Sequence, residues 1–165
     1  MIHPLDNPVW EALCSFQQPF NEGSDIVRYF PKNVSPFIAL KDWHEADLAV
    51  LDRSIPTDRS FSVLIAKQIE LPTSFELLFS LPLYQMIRLT SSINRSIAGK
   101  QIPFRRLNEL DVPMMLELTA KTKPGPFYDN TISFGNYFGL FDEDRLVSMA
   151  GQRLQTDMFT EVSAI

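Results

Sequence analysis

The chain has 165 residues but only one cysteine, Cys14, and two histidines, His3 and His44. One cysteine excludes an internal disulfide. Two histidines without ligand spacing leave too few soft donors for a Cys/His metal centre, and neither stands in a catalytic-triad motif. Cys14 lies within an apolar helical stretch and reads as a buried structural thiol. The chain also lacks an excess of positive charge. With 15 basic and 20 acidic residues its net charge is −5, which argues against a broad nucleic-acid footprint. The adjacent Arg105 and Arg106 read as solvated surface. No basic start with an apolar run behind it marks a signal peptide. The greasiest segment, Leu77–Ile87, is interrupted by Pro82 and is too short to span a bilayer. The expected setting is cytoplasmic, without membrane.

What is present is a globular composition, 45% hydrophobic and 21% charged. Asn7-Pro8 opens a helix, Asn as cap and Pro in the first turn. Val9, Ala12, Leu13 and Phe16 form its apolar stripe, and Gly23 marks the exit. Phe37–Leu40 reads as a buried strand. Asp42 with Glu45 predicts a capped second helix whose inner face carries Trp43, Ala46 and Val50. Alternation predicts a strand over Phe61–Ile65, and Phe75–Leu81 and Tyr84–Thr90 are expected as a second and a third. The polar stretch Ser91–Gln101 divides an N-terminal α/β region, 1–100, from a second unit, 101–165.

In the second unit Asp111 caps a helix bearing Val112, Met115 and Leu116. Pro124-Gly125-Pro126 cannot continue it, and a short helix is predicted over Thr131–Asn136. Tyr137–Phe141 and Leu146–Leu154 form a hairpin around Asp142-Glu143-Asp144. Val147, Met149 and Gly151 face one way, and Leu146, Ser148 and Ala150 the other. Phe159–Ile165 is the last strand. The fold class is α/β of the mixed α+β kind.

Three stretches in this order resemble the GNAT superfamily of N-acetyltransferases. Asp111-Val112-Pro113-Met114-Met115-Leu116-Glu117-Leu118 is similar to the D-V-P-x-M-L-x-L pattern of that fold's first helix. Tyr137–Gly151, ending Leu146-Val147-Ser148-Met149-Ala150-Gly151, resembles its second and third strands. Thr160–Ile165 resembles the start of its central fourth strand. Lys123-Pro124-Gly125-Pro126-Phe127 with Met149–Arg153 looks like one bacterial branch of these enzymes.

The resemblance implies an acetyl-CoA-dependent acyl transfer to a small-molecule or peptide amine. It implies Glu161 as general base, with the backbone of Ser163, Ala164 and Ile165 near the acetyl group. Phe127 and Tyr128 would line the acceptor pocket. It also implies a loop of the form R/Q-x-x-G-x-G/A holding the coenzyme pyrophosphate at a helix N-terminus. No such sequence occurs among the 165 residues. The chain is therefore expected to be the front part of such an enzyme and inactive alone, its C-terminal half following in the gene or supplied by another polypeptide. The alternative is a non-catalytic binding module whose open sheet edge dimerises or accepts a partner strand.

Overall fold

A computed structural model describes residues 3–89 and 104–164. Its architecture is mixed, with three α-helices, several 3-10 turns and two antiparallel sheets among these residues. The expected boundary at 91–101 and residue Ile165 lie outside the described residues.

Helix α1, Pro8–Cys14, starts as the sequence predicts, with Pro8 in the first turn and Val9, Ala12 and Leu13 buried. Two details differ. Asn7 makes no side-chain cap; its Nδ2 donates instead to the carbonyl of Leu40, 2.7 Å away, tying the helix start to a strand. The helix also stops at Cys14, long before Gly23, so Phe16 falls off the stripe and is 71% exposed. Cys14 is exposed rather than buried, because it follows Leu13 by one step and so turns away from the inward stripe.

Strands β1 (Val27–Tyr29) and β2 (Ile38–Leu40) pair antiparallel, Arg28 opposite Ala39. β2 is buried throughout, as its apolar run predicts. Helix α2, Glu45–Ser54, packs through Leu48 and Leu51. Ala46 is exposed, and the expected capping pair does not form: His44 is the N-cap residue and gives no side-chain cap. The carboxylate of Asp47 instead accepts the backbone N–H of Asp42 at 3.0 Å.

The three strands expected between residues 61 and 90 are not strands. Ser62 makes one isolated bridge to Phe37, and residues 75–89 form no ladder, with Thr90 outside the described residues. The side chains of Leu77, Leu78, Phe79, Leu81, Leu83, Tyr84 and Met86 are exposed. Alternation makes a face, but a strand also needs a partner for its backbone groups.

The second sheet has the order β3-β4-β5-β6, antiparallel at every step. Its strands are β3 (Phe104–Arg106), β4 (Tyr137–Asp142), β5 (Arg145–Gln155) and β6 (Thr160–Ser163). β3 is exposed and too short to announce itself by alternation. Helix α3, Val112–Thr122, lies between β3 and β4 in the chain and packs on the sheet through Met115 and Thr119. Leu116 is only partly buried. The helix ends where Lys123 takes a left-handed conformation, φ 50°, and Pro124 prevents another turn.

The register of β5 explains a departure from simple alternation. Leu140 faces Ser148 but Phe141 faces Leu146, so Val147 is an extra residue in β5. This bulge turns Leu146 to the side of Met149 and Gly151, where all three are buried, whereas strict alternation puts it opposite them. A second irregularity lies between Gln152 and Gln155. Beyond it Leu154 joins a different core, with Val9, Leu13, Phe30 and Phe134. Gln17, buried at 2% exposure, is bound at both ends of its amide: Nε2 donates to the carbonyl of Arg153 at 2.7 Å, and Oε1 accepts from the N–H of Gln155. Thr131 adds a hydroxyl bond to the carbonyl of Val34. The N-terminal elements are thus fastened to β5, an interior strand of the sheet that carries the candidate site.

Candidate active site

A narrow cleft opens where the loop after α3 crosses the ends of β4, β5 and β6. It is lined by Pro124, Gly125, Pro126, Phe127, Thr131, Tyr137, Arg153, Ser163 and Ala164. Its floor is a row across three strands, since Tyr137 faces Gly151 and Gly151 faces Ser163. A Cβ at Gly151 would overlap the ring of Tyr137, so the tyrosine lies across a gap left by its neighbour. The same ring meets Phe127 edge to face, centroids 5.8 Å apart at 89°. Burial pushes the Tyr137 phenol up to about 12, Arg153 acting against that shift and Glu161 with it. At neutral pH this phenol is protonated and can donate a hydrogen bond but not accept a proton as a base.

Glu161 and Ser163 stand two residues apart and therefore share a face of β6. Arg153, on β5, binds Glu161 with two parallel bonds, Nε to Oε2 at 3.0 Å and one Nη to Oε1 at 2.5 Å. Both side chains are substantially buried, at 20% and 35% exposure, which strengthens the pair relative to a surface bridge. The guanidinium also lies over the ring of Phe37, 5.0 Å from its centroid. β6 leaves its ladder at Ser163, and Ala164 turns the backbone with φ 56°, a left-handed conformation uncommon for a residue with a Cβ.

The structure brings Phe127, Ser163 and Ala164 to one cleft and sets Glu161 beside it through Arg153. Tyr128 does not line the cleft; its N–H donates to Thr131 Oγ1 at 2.7 Å, and the residue holds the turn before the next 3-10 segment. Tyr137 and Arg153 were not singled out as site residues from the sequence. Nothing in a linear pattern shows that two bulges and a glycine will aim them at the same space.

A second ion pair lies at the opposite edge of the sheet. Asp111, with 5% of its side chain exposed, accepts two bonds from Arg105, at 2.8 and 2.6 Å, and one from the backbone N–H of Asn108 at 2.9 Å. Arg105 stacks over Phe141 at 4.2 Å, so it is not merely solvated surface. The Arg105 hydrogen bonds hold the Asp111 carboxyl below its ordinary range, against the opposing effect of burial. This pair braces the β3–α3 turn.

Among the described residues no group of three or more His, Cys, Asp and Glu side chains could hold a metal ion, and no helix is long and apolar enough to cross a membrane. The cleft beside Ser163 and Ala164 is narrow, and the sequence contains no R/Q-x-x-G-x-G/A segment for a pyrophosphate.

No family model and no curated protein matches the chain. A crystal structure does: that of a Novosphingobium aromaticivorans protein assigned by inference as a GNAT-family acetyltransferase. The match has a TM-score of 0.77 at 26% identity and covers 99% of this chain and 70% of that one. It therefore includes the sheet, α3 and the N-terminal elements alike. The chain therefore has the fold of the GNAT acetyltransferases.

Proposed function

We propose that this chain forms the acceptor side and the acetyl-facing strand of an acetyl-CoA-dependent N-acetyltransferase. The observation that carries the reading is the convergence of Phe127, Tyr137, Arg153 and Ser163 on one cleft at the end of β6, in a sheet matching an inferred acetyltransferase. Acetyl-CoA, when bound, supplies the acetyl group as an activated thioester. The acceptor amine would lose a proton as its nitrogen joins the acetyl carbon and the carbon–sulfur bond breaks, its electron pair leaving on sulfur as the coenzyme thiolate. Glu161, held beside the cleft by Arg153, takes that proton on a lone pair not used by Arg153. Arg153 fixes the carboxylate's orientation. Phe127 and the Pro124-Gly125-Pro126 loop cover the acceptor and exclude water, and the backbone at Ser163 and Ala164 flanks the acetyl group.

The test is acetylated product, detected by mass, from acetyl-CoA and a panel of primary amines. Mass is preferred because the exposed Cys14 would itself react with a thiol reagent. The 165-residue chain is assayed beside the product of the coding sequence read about 40 codons further, roughly one strand–loop–helix unit. Amine-dependent product from either, lost in Glu161→Gln, supports the proposal; product from neither overturns it. The rival, a binding module, draws on β6 lying at the edge of the described sheet with Val162 63% exposed. It gains ground if neither chain transfers acetyl and the shorter one dimerises with concentration.

A further inference from the structure

The Arg153 guanidinium has three sides to account for. Its Nε and one Nη are committed to Glu161. Its flat face is covered by Phe37. Among the described residues no hydrogen bond engages the other edge, Nη1, and this edge opens into the cleft beside Gly125. Gly125 adopts φ 132°, which a residue with a side chain resists. A Cβ there would stand 3.9 Å from Nη1. The glycine thus leaves the approach to Nη1 uncovered, between two prolines that stiffen the loop. A half-desolvated guanidinium edge of this kind calls for an anion, and a carboxylate is the planar partner that suits it.

The pair therefore presents a cation and an anion side by side, with the Ser163 hydroxyl on the same face as Glu161. An α-amino acid carries the complementary arrangement on one carbon. We infer that the acceptor is a small amine bearing a carboxylate, of the α-amino-acid class, its carboxylate on Arg153 Nη1 and its amine toward Glu161. This rests on the acyl-transfer reading of the cleft. Arg153 is then a specificity-determining residue, and Glu161 both orients it and meets the amine.

The experiment is an NMR titration of the ¹⁵N-labelled 165-residue chain, with coenzyme A present, using L-alanine and L-alaninamide. The two probes differ in whether a carboxylate is there. L-alanine is expected to shift the amides of Gly125, Arg153 and Ser163 saturably and to bind about tenfold tighter than the amide, the size of one charge-assisted hydrogen bond. The double variant Arg153→Gln/Glu161→Gln, which leaves no buried charge unpaired, is expected to lose that preference. Equal binding of alaninamide, or no saturable shift with alanine, overturns the inference, and the comparison in the unaltered chain needs no variant to fold. Acetylation of alaninamide but not alanine would also overturn it while leaving acyl transfer standing. Selective alanine binding with no acetylated product from any amine would leave the carboxylate subsite standing and remove the acyl-transfer reading.

Discussion

Residues 137–155 and 75–89 look alike as sequence: each offers two apolar, alternating runs around a break. Their structures are opposite. The first pair forms β4 and β5, paired from Tyr137–Gly151 to Asp142–Arg145 with one bulge at Val147. The second forms no ladder and leaves most of its large side chains in solvent. The difference lies in what each segment finds to pair with. β4 and β5 are joined by a short polar turn in which Glu143 adopts φ 54°, so each is the other's nearest partner. Residues 75–81 and 84–89 are separated by Pro82, which donates no hydrogen bond and does not make such a turn.

Substitutions can sharpen this contrast, and the sheet should show the largest effects. Gly151→Val places a side chain where the Tyr137 ring lies and should cost about 3 kcal/mol in chemical denaturation, the upper range for overpacking. Asp111→Ala removes a buried acceptor of three hydrogen bonds and should cost about 2 kcal/mol. Because the Asp111 carboxyl is held low in the folded chain, its contribution is present above its unfolded value of 3.8. That contribution fades as pH falls through the lower folded value. The acid limb of the stability profile should therefore flatten in Asp111→Asn.

Tyr137 acts with the opposite sign. Its phenol rises from 10.0 to about 12, so folding favours the protonated form. That stabilisation is whole below pH 10 and is lost as pH rises toward 12; Tyr137→Phe should remove this alkaline limb from the melting profile. Gln17→Leu deprives two backbone groups of β5 of their side-chain partner and should cost about 1–2 kcal/mol. At the small end, Leu81→Lys, at a position 68% exposed, should change stability by no more than about 0.5 kcal/mol. A loss at Leu81 as large as that at Gly151 would break the comparison, because it would mean the 75–89 segment is packed after all.

The same contrast shows where sequence reading succeeds. Local periodicity with a near partner was legible: β2, β4, β5, the start of α1, α3 and the break at Pro124. The three-residue strands β1 and β3 were not, since strands that short are defined by their partners. Cys14 was read inward from its apolar surroundings although it lies off the Val9–Ala12–Leu13 stripe, and Ala46 was assigned inward where Leu48 and Leu51 are the residues that pack. In the candidate site, Glu161, Phe127 and Ser163 could be named from a resemblance. Arg153 and Tyr137 could not, because their meeting depends on cross-strand register.

The gap at Gly151 has a consequence for descent. Tyr137 and Gly151 share the volume of one large side chain between two strands, so neither position is free to vary alone. Relatives with alanine or anything larger at 151 should carry a residue smaller than tyrosine at 137, and the two changes should arrive together. A lineage passing through only one of them would have to bear an overfilled or a hollow cleft floor on the way.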